Sequence, residues 1–203
     1  MNAPHALADA ELHRVLLAHA RAPGEACTLA LAGVMASGRT RPAAYVAPIA
    51  RLAQAEQQQL MATVFPGLAL RWPETAFDAF DEFDDLVALL RRHAGDDAPA
   101  TRWLAPAIAT ACMGANHLWQ DMGLPGRDTL NALMQVHFAP LKARNAQNMR
   151  WKKFFYRELC LQEEVLLCKS PSCAQCVDMP QCFGVEQGTA LLPGDGHRAT
   201  TAG

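Results

Sequence analysis

Little in this sequence favours a β-strand. β-branched residues are sparse, no convincing period-two alternation occurs, and alanine and leucine dominate, a bias toward helix. An excess of either charge is also missing. Eighteen Lys and Arg against twenty Asp and Glu leave a net charge of -2, so no overall cationic field exists for nucleic acid or anionic lipid. The longest apolar run, WLAPAIATACMGA at 103–115, is too short to span a bilayer and contains Pro106. The opening MNAPHALADAELHR has neither a basic start nor an apolar h-region. No HExxH, Walker A sequence, Rossmann fingerprint or GxSxG elbow is present. These absences set the expectations: no nucleic-acid or membrane partner, a reducing cytoplasmic setting, and no enzyme activity of a familiar kind.

What is there reads as a single all-α domain over residues 8–186, with 1–7 and 187–203 as disordered tails. Helices are expected over 8–21, 25–36, within 43–65, over 76–94, over 100–122 with an interruption near Pro106, from 127 or 128 to before Pro140, and from Asn145 to about Glu163. The clearest is 76–94. Phe80, Phe83, Leu86, Val87 and Leu90 recur at helical spacing, and its acidic residues precede Arg91, Arg92 and His93, an order that complements the helix dipole.

The cysteines are unevenly placed. Of seven, four lie in CKSPSCAQCVDMPQCF: Cys168, Cys173, Cys176 and Cys182, spaced C-x4-C-x2-C-x5-C. In a reducing compartment clustered thiols more often bind metal or do redox chemistry than form disulfides. Thiolates are soft ligands that select zinc, copper(I) and iron–sulfur clusters. Pro171 and Pro180 oppose helix, and Ser170, Ser172 and Asp178 suit turns, so a cluster-binding loop is expected. Structural zinc usually takes two separated knuckles, whereas this is one compact block. Its first three cysteines share the plant-type ferredoxin spacing. A metal–sulfur cluster therefore ranks ahead of zinc, and both ahead of a C-x-x-C redox pair, which wants a βαβ setting. Cys27 and Cys112 sit in apolar stretches and read as core.

Just before the block, NMRWKKFFYRELC (148–160) is amphipathic. Trp151, Phe154, Phe155 and Leu159 fall on one helical face; Arg150, Lys153 and Arg157 fall on another, with Cys160 continuing the row. The basic row is either a solvated face or a guide that draws an oxyanion or an acidic partner toward the cysteines.

Together, HLWQDMGL (117–124), NMRWKKFFYRELC and CKSPSCAQCVDMPQCFG strongly resemble the NifQ family of nitrogen-fixation proteins, over about residues 104–186 and only loosely before that. The resemblance implies an iron–sulfur protein that carries molybdenum for assembly of the nitrogenase iron–molybdenum cofactor. It implies a molybdenum–iron–sulfur cluster held by Cys168, Cys173, Cys176 and Cys182. It also implies partners in the nitrogenase cofactor-assembly scaffold and the nitrogenase iron protein. Molybdenum in its higher oxidation states is harder than iron and can take a nitrogen or oxygen ligand. His117, with Asp121 four residues on to orient its imidazole, is a candidate, and His137 a weaker one; a helix-surface or core histidine is the plain alternative. Two other classes stay open: a helical interaction module stapled by zinc, and a ferredoxin-type electron carrier.

Overall fold

Proline and glycine punctuate a chain that is otherwise rich in helix formers, and the helices fall between those marks. A computed structural model describes residues 3–37, 49–68, 70, 81–162, 176 and 179–193, with side chains from residue 9 onward except that of residue 81. Among the described residues every regular element is a helix: α1 (Ala3–His19), α2 (Ala26–Ser37), α3 (Gln54–Val64), α4 (Asp81–Arg92), α5 (Pro99–Cys112), α6 (Leu118–Asp121), α7 (Arg127–His137), α8 (Ala139–Arg144), α9 (Trp151–Gln162) and α10 (Met179–Phe183). The all-α expectation holds. None of these helices is long and apolar enough to cross a membrane.

Two helices form the centre because they are apolar all round. In α2, Thr28 and residues 30–36 are buried; in α5, Thr101 and residues 103–112 are. They pack on each other, and α1, α3, α4 and α7 pack around them. Small residues let the backbones approach closely. A side chain at Gly33 of α2 would put its Cβ 2.2 Å from the Met122 carbonyl oxygen, and one at Gly123 would come 2.7 Å from the Gly33 Cα. Gly123 also has φ +66°, a conformation glycine adopts without strain. α4 buries Phe83, Leu86, Val87, Leu89 and Leu90 and exposes Glu82, Asp84 and Asp85. That is the face the spacing predicts; Phe80 lies outside the described residues.

Three helix boundaries differ from expectation. α5 does not break at Pro106. The Thr110 hydroxyl donates to the Pro106 carbonyl (2.6 Å) and accepts the Ala50 N–H (3.2 Å), so the proline sits within a continuous helix. The stretch 100–122 instead divides after Cys112, where a turn at 113–116 leads into the single-turn α6. Asn145 does not cap α9. Its side chain accepts the Met149 N–H (2.8 Å) and donates to the Met149 carbonyl (2.9 Å), which builds a turn, and the helix starts at Trp151. At the ends, α1 begins at Ala3, and within 187–193 Ala190 and Leu192 pack on the core. The Gln120 side chain donates to the Thr189 carbonyl (2.9 Å), and Leu192 is buried against Gly123.

Candidate functional site

The site is built on α9. Trp151, Phe154 and Phe155 are buried, with the Trp151 ring edge-on to Phe154 at 5.6 Å and tilted against Phe155 at 5.5 Å. The Trp151 indole N–H donates to the Asn131 side chain (2.9 Å), which fixes α9 to α7. The apolar face predicted for this segment is therefore the packed one, although Leu159 is only half-buried and Glu158 is buried among the aromatics' neighbours. Glu158 is tolerated there because Arg144 donates to it at 2.6 and 2.5 Å.

The predicted basic row splits in two. Lys153 and Arg157 are exposed, as a guiding or solvated face requires. Arg150 is engaged with the far end of the cysteine block. Its backbone N–H donates to the Cys182 carbonyl (2.7 Å), its Nε to the Gly184 carbonyl and its Nη2 to the Val185 carbonyl, both at 3.3 Å. One residue thus spans the chain from the last cysteine to three residues beyond it. Within this end of the block, the Met179 N–H donates to the Cys176 carbonyl (3.1 Å) and the Gly184 N–H to the Pro180 carbonyl (2.8 Å). The close turn needs glycine, since a Cβ at Gly184 would lie 2.3 Å from the Pro180 oxygen. Cys176 and Cys182 are both half-buried, and Cys182 packs on the core. Cys168 and Cys173 lie outside the described residues. Among the described residues no group of three or more His, Cys, Asp or Glu could hold a metal ion.

The remaining thiols separate cleanly. Burial pushes the Cys27 and Cys112 thiols up to about 12, which favours their neutral form at neutral pH. Cys160, at the end of the basic row, is half-buried.

His117 and Asp121 bracket the first turn of α6, but they are not partners in the way their spacing suggests. Asp121 accepts the Asn116 backbone N–H (3.1 Å), the Asn116 amide (3.0 Å) and the Lys152 ammonium (2.5 Å). Lys152 also donates to the Gly114 carbonyl (2.7 Å). This pair is nearly dry, with the Lys152 side chain 17% and the Asp121 side chain 8% exposed. The carboxylate that meets the His117 imidazole belongs to Glu186: its Oε1 lies 3.9 Å from Nδ1. Glu186 Oε1 also accepts Arg127 Nη1 at 2.8 Å, and Arg127 Nη2 donates to the carbonyls of Asn148 (2.8 Å) and Met149 (2.9 Å). His137 is occupied elsewhere. Its Nδ1 shares a hydrogen bond with the Thr101 hydroxyl (2.8 Å), and burial holds its imidazole below the usual histidine range, partly offset by Asp96.

Four residues that matter to this geometry are missing from the sequence reading: Arg127, Lys152, Gln120 and Glu186. The signals were faint. Glu186 is an acid four residues past the last cysteine in CFGVEQ, and Lys152 stands off the regular basic row.

Described parts of the three segments that carry the family pattern meet α9 or its first residues: 117–124 supplies His117 and Asp121, 148–160 supplies Arg150 and Lys152, and the end of 168–184 supplies Cys182. The sequence pattern described as NifQ matches residues 28–184. The chain belongs to the NifQ family. It is 50% identical over 107 residues to Protein NifQ of Azotobacter vinelandii, a match covering 52% of this chain and 54% of that protein. It is 38% identical over 161 residues to Protein NifQ of Rhodobacter capsulatus, covering 76% of this chain and 88% of that one. Protein NifQ of Klebsiella pneumoniae is 48% identical over 81 residues, 39% of this chain and 48% of that protein. The chain thus spans about half the length of two of these NifQ relatives and most of the third. No solved structure matches.

Proposed function

We propose that this chain is a nitrogen-fixation metallochaperone, a carrier rather than an enzyme, whose cargo is a molybdenum–iron–sulfur cluster destined for the nitrogenase iron–molybdenum cofactor. The observation that carries the reading is a four-thiol block, C-x4-C-x2-C-x5-C, inside the stretch that matches NifQ. The donor chemistry fits. Thiolates suit iron–sulfur cargo, and Cys176 and Cys182 are half-buried, which leaves them shielded yet reachable. Cys168, Cys173, Cys176 and Cys182 hold the cargo, and His117 supplies a nitrogen donor to molybdenum. Release proceeds by ligand exchange with a receiving protein in the cytoplasm: the nitrogenase iron protein or the cofactor-assembly scaffold. Exposed Lys153 and Arg157 draw in an oxyanion or an acidic partner surface.

Anaerobic purification followed by metal and acid-labile sulfide analysis tests this. A brown protein with iron, sulfide and stoichiometric molybdenum is expected. A colourless protein with one zinc after cluster reconstitution overturns it in favour of a zinc-stapled module, and iron and sulfide without molybdenum overturns it in favour of an electron carrier. Lys153→Glu/Arg157→Glu is expected to load normally but to deliver poorly; normal delivery would remove the guiding role from those two residues.

A further inference from the structure

Glu186 is an acid with no sequence motif of its own, yet its carboxylate is more deeply buried than either of the side chains it faces, the Arg127 guanidinium and the His117 imidazole. Its side chain is only 5% exposed, against 16% for Arg127 and 26% for His117. Burying a carboxylate costs several kcal/mol unless its partners are well placed. Arg127 is well placed: its guanidinium is itself held by the Asn148 and Met149 carbonyls and the Asn148 side-chain oxygen. The anchored carboxylate then lies 3.9 Å from His117 Nδ1, too long for a hydrogen bond. A movement of about 1 Å in the half-buried imidazole closes it to hydrogen-bond length.

The chain around Glu186 links it to the cysteines. It lies four positions after Cys182, so the two Cα atoms are at most about 14 Å apart. Arg150 holds the intervening Gly184 and Val185 carbonyls. A histidine that ligates metal through one ring nitrogen almost always donates its other N–H to a carboxylate or carbonyl, which fixes the tautomer and the ring direction. Asp121, the acid that sequence spacing offers for this task, is occupied by Asn116 and Lys152.

We infer that Glu186, anchored by Arg127, is the positioning residue that sets His117 as a nitrogen donor to the molybdenum of the cargo. The inference rests on the carrier reading above and deepens it. Glu186 accepts a hydrogen bond from Nδ1–H, and the Nε2 lone pair is left to bind the metal. Removing the carboxylate weakens retention of molybdenum roughly tenfold or more and leaves iron held by the thiols.

The test uses the full chain, loaded anaerobically with iron, sulfide and molybdate, as wild type, Glu186→Gln, His117→Ala and the double variant. Glutamine keeps the shape of Glu186 and an oxygen for Arg127, and far-UV circular dichroism checks the fold of each variant. Both single variants are expected to keep iron and sulfide, to lose molybdenum after a desalting step, and to lose the nitrogen shell in molybdenum X-ray absorption. The double variant is expected to match His117→Ala. Full molybdenum with an unchanged absorption spectrum in either single variant overturns the inference. So does a double variant that falls well below His117→Ala, because Glu186 would then act only as a fastener of the chain after the cysteines. A wild-type chain that takes up iron, sulfide and no molybdenum overturns the carrier reading itself and this inference with it, an outcome distinct from failure in the variants alone.

Discussion

Lys152→Met should cost this protein a large share of its stability. The ammonium bridges α9 to the turn and helix at 114–121, bonding the Asp121 carboxylate at 2.5 Å and the Gly114 carbonyl at 2.7 Å. Methionine matches the aliphatic stem but leaves the Asp121 carboxylate without its Lys152 partner in a site where it is 8% exposed, with the two Asn116 donors still in place. Breaking a buried pair by removing one partner costs about 3–5 kcal/mol. The two remaining bonds place this case near the lower end, and loss of the Gly114 contact adds about 1 kcal/mol. Against a total stability of about 5–15 kcal/mol, that is a substantial fraction. In equilibrium urea unfolding, with a slope of about 2–3 kcal/mol/M, the midpoint should fall by roughly 1–2 M. Asp121→Asn should be destabilising too, and the double variant should cost less than the sum of the two by about 1–3 kcal/mol. A Lys152→Met shift under about 1 kcal/mol, or strict additivity, would refute the reasoning and class the pair with solvent-screened surface bridges.

Two further outcomes follow from the same geometry. Arg150→Ala removes both guanidinium contacts to the Gly184 and Val185 carbonyls, about 1 kcal/mol each, and should shorten the lifetime of the loaded cluster in air-free chelator challenge; Arg150→Lys should rescue it only in part, because a lysine cannot reach two divergent carbonyls in the same fork. The Cys112 thiol is raised to about 12 by burial, so its neutral form is favoured in the folded state; that contribution is complete below about pH 8.5, where the unfolded thiol is neutral as well, and is lost as pH rises toward 12. Cys112→Ala should flatten the alkaline fall in stability, and iodoacetamide should label Cys112 at pH 8 only in urea; rapid labelling of the folded chain would contradict its burial.

Sequence pattern carried some of this structure well. The all-helical class follows from composition, and the buried face of α4 follows from the recurrence of Phe83, Leu86, Val87 and Leu90, because local periodicity reports which side of a helix meets the core. Trp151, Phe154 and Phe155 were legible for the same reason. Asn145 was not, because asparagine serves equally as a helix cap and as a turn residue, and only the Met149 backbone three-dimensionally beside it decides. Asp121 and His117 illustrate a second limit. Spacing at i, i+4 presumes a continuing helix, but α6 lasts one turn and His117 stands at its edge, so the acid pairs with Lys152, far along the chain, and the imidazole meets Glu186. Long-range ion pairs leave no local trace. The packing of residues 187–193 was hidden likewise, since a polar, glycine-bearing stretch looks like a tail until Leu192 finds the Gly33–Gly123 contact.

The Arg150 contacts have a consequence for the capture proposed above. The chain leaves the packed helix α9 at Gln162 and is fastened again at Cys182. The last thiol of the block is therefore pinned beside the start of α9, about twenty residues after that helix ends. Closing a loop of this length costs about 2–3 kcal/mol of chain entropy, and folding has already met it. For the cargo proposed above, four thiols on one chain segment act as intramolecular partners at high effective concentration, so capture at low free-metal levels is the expected outcome.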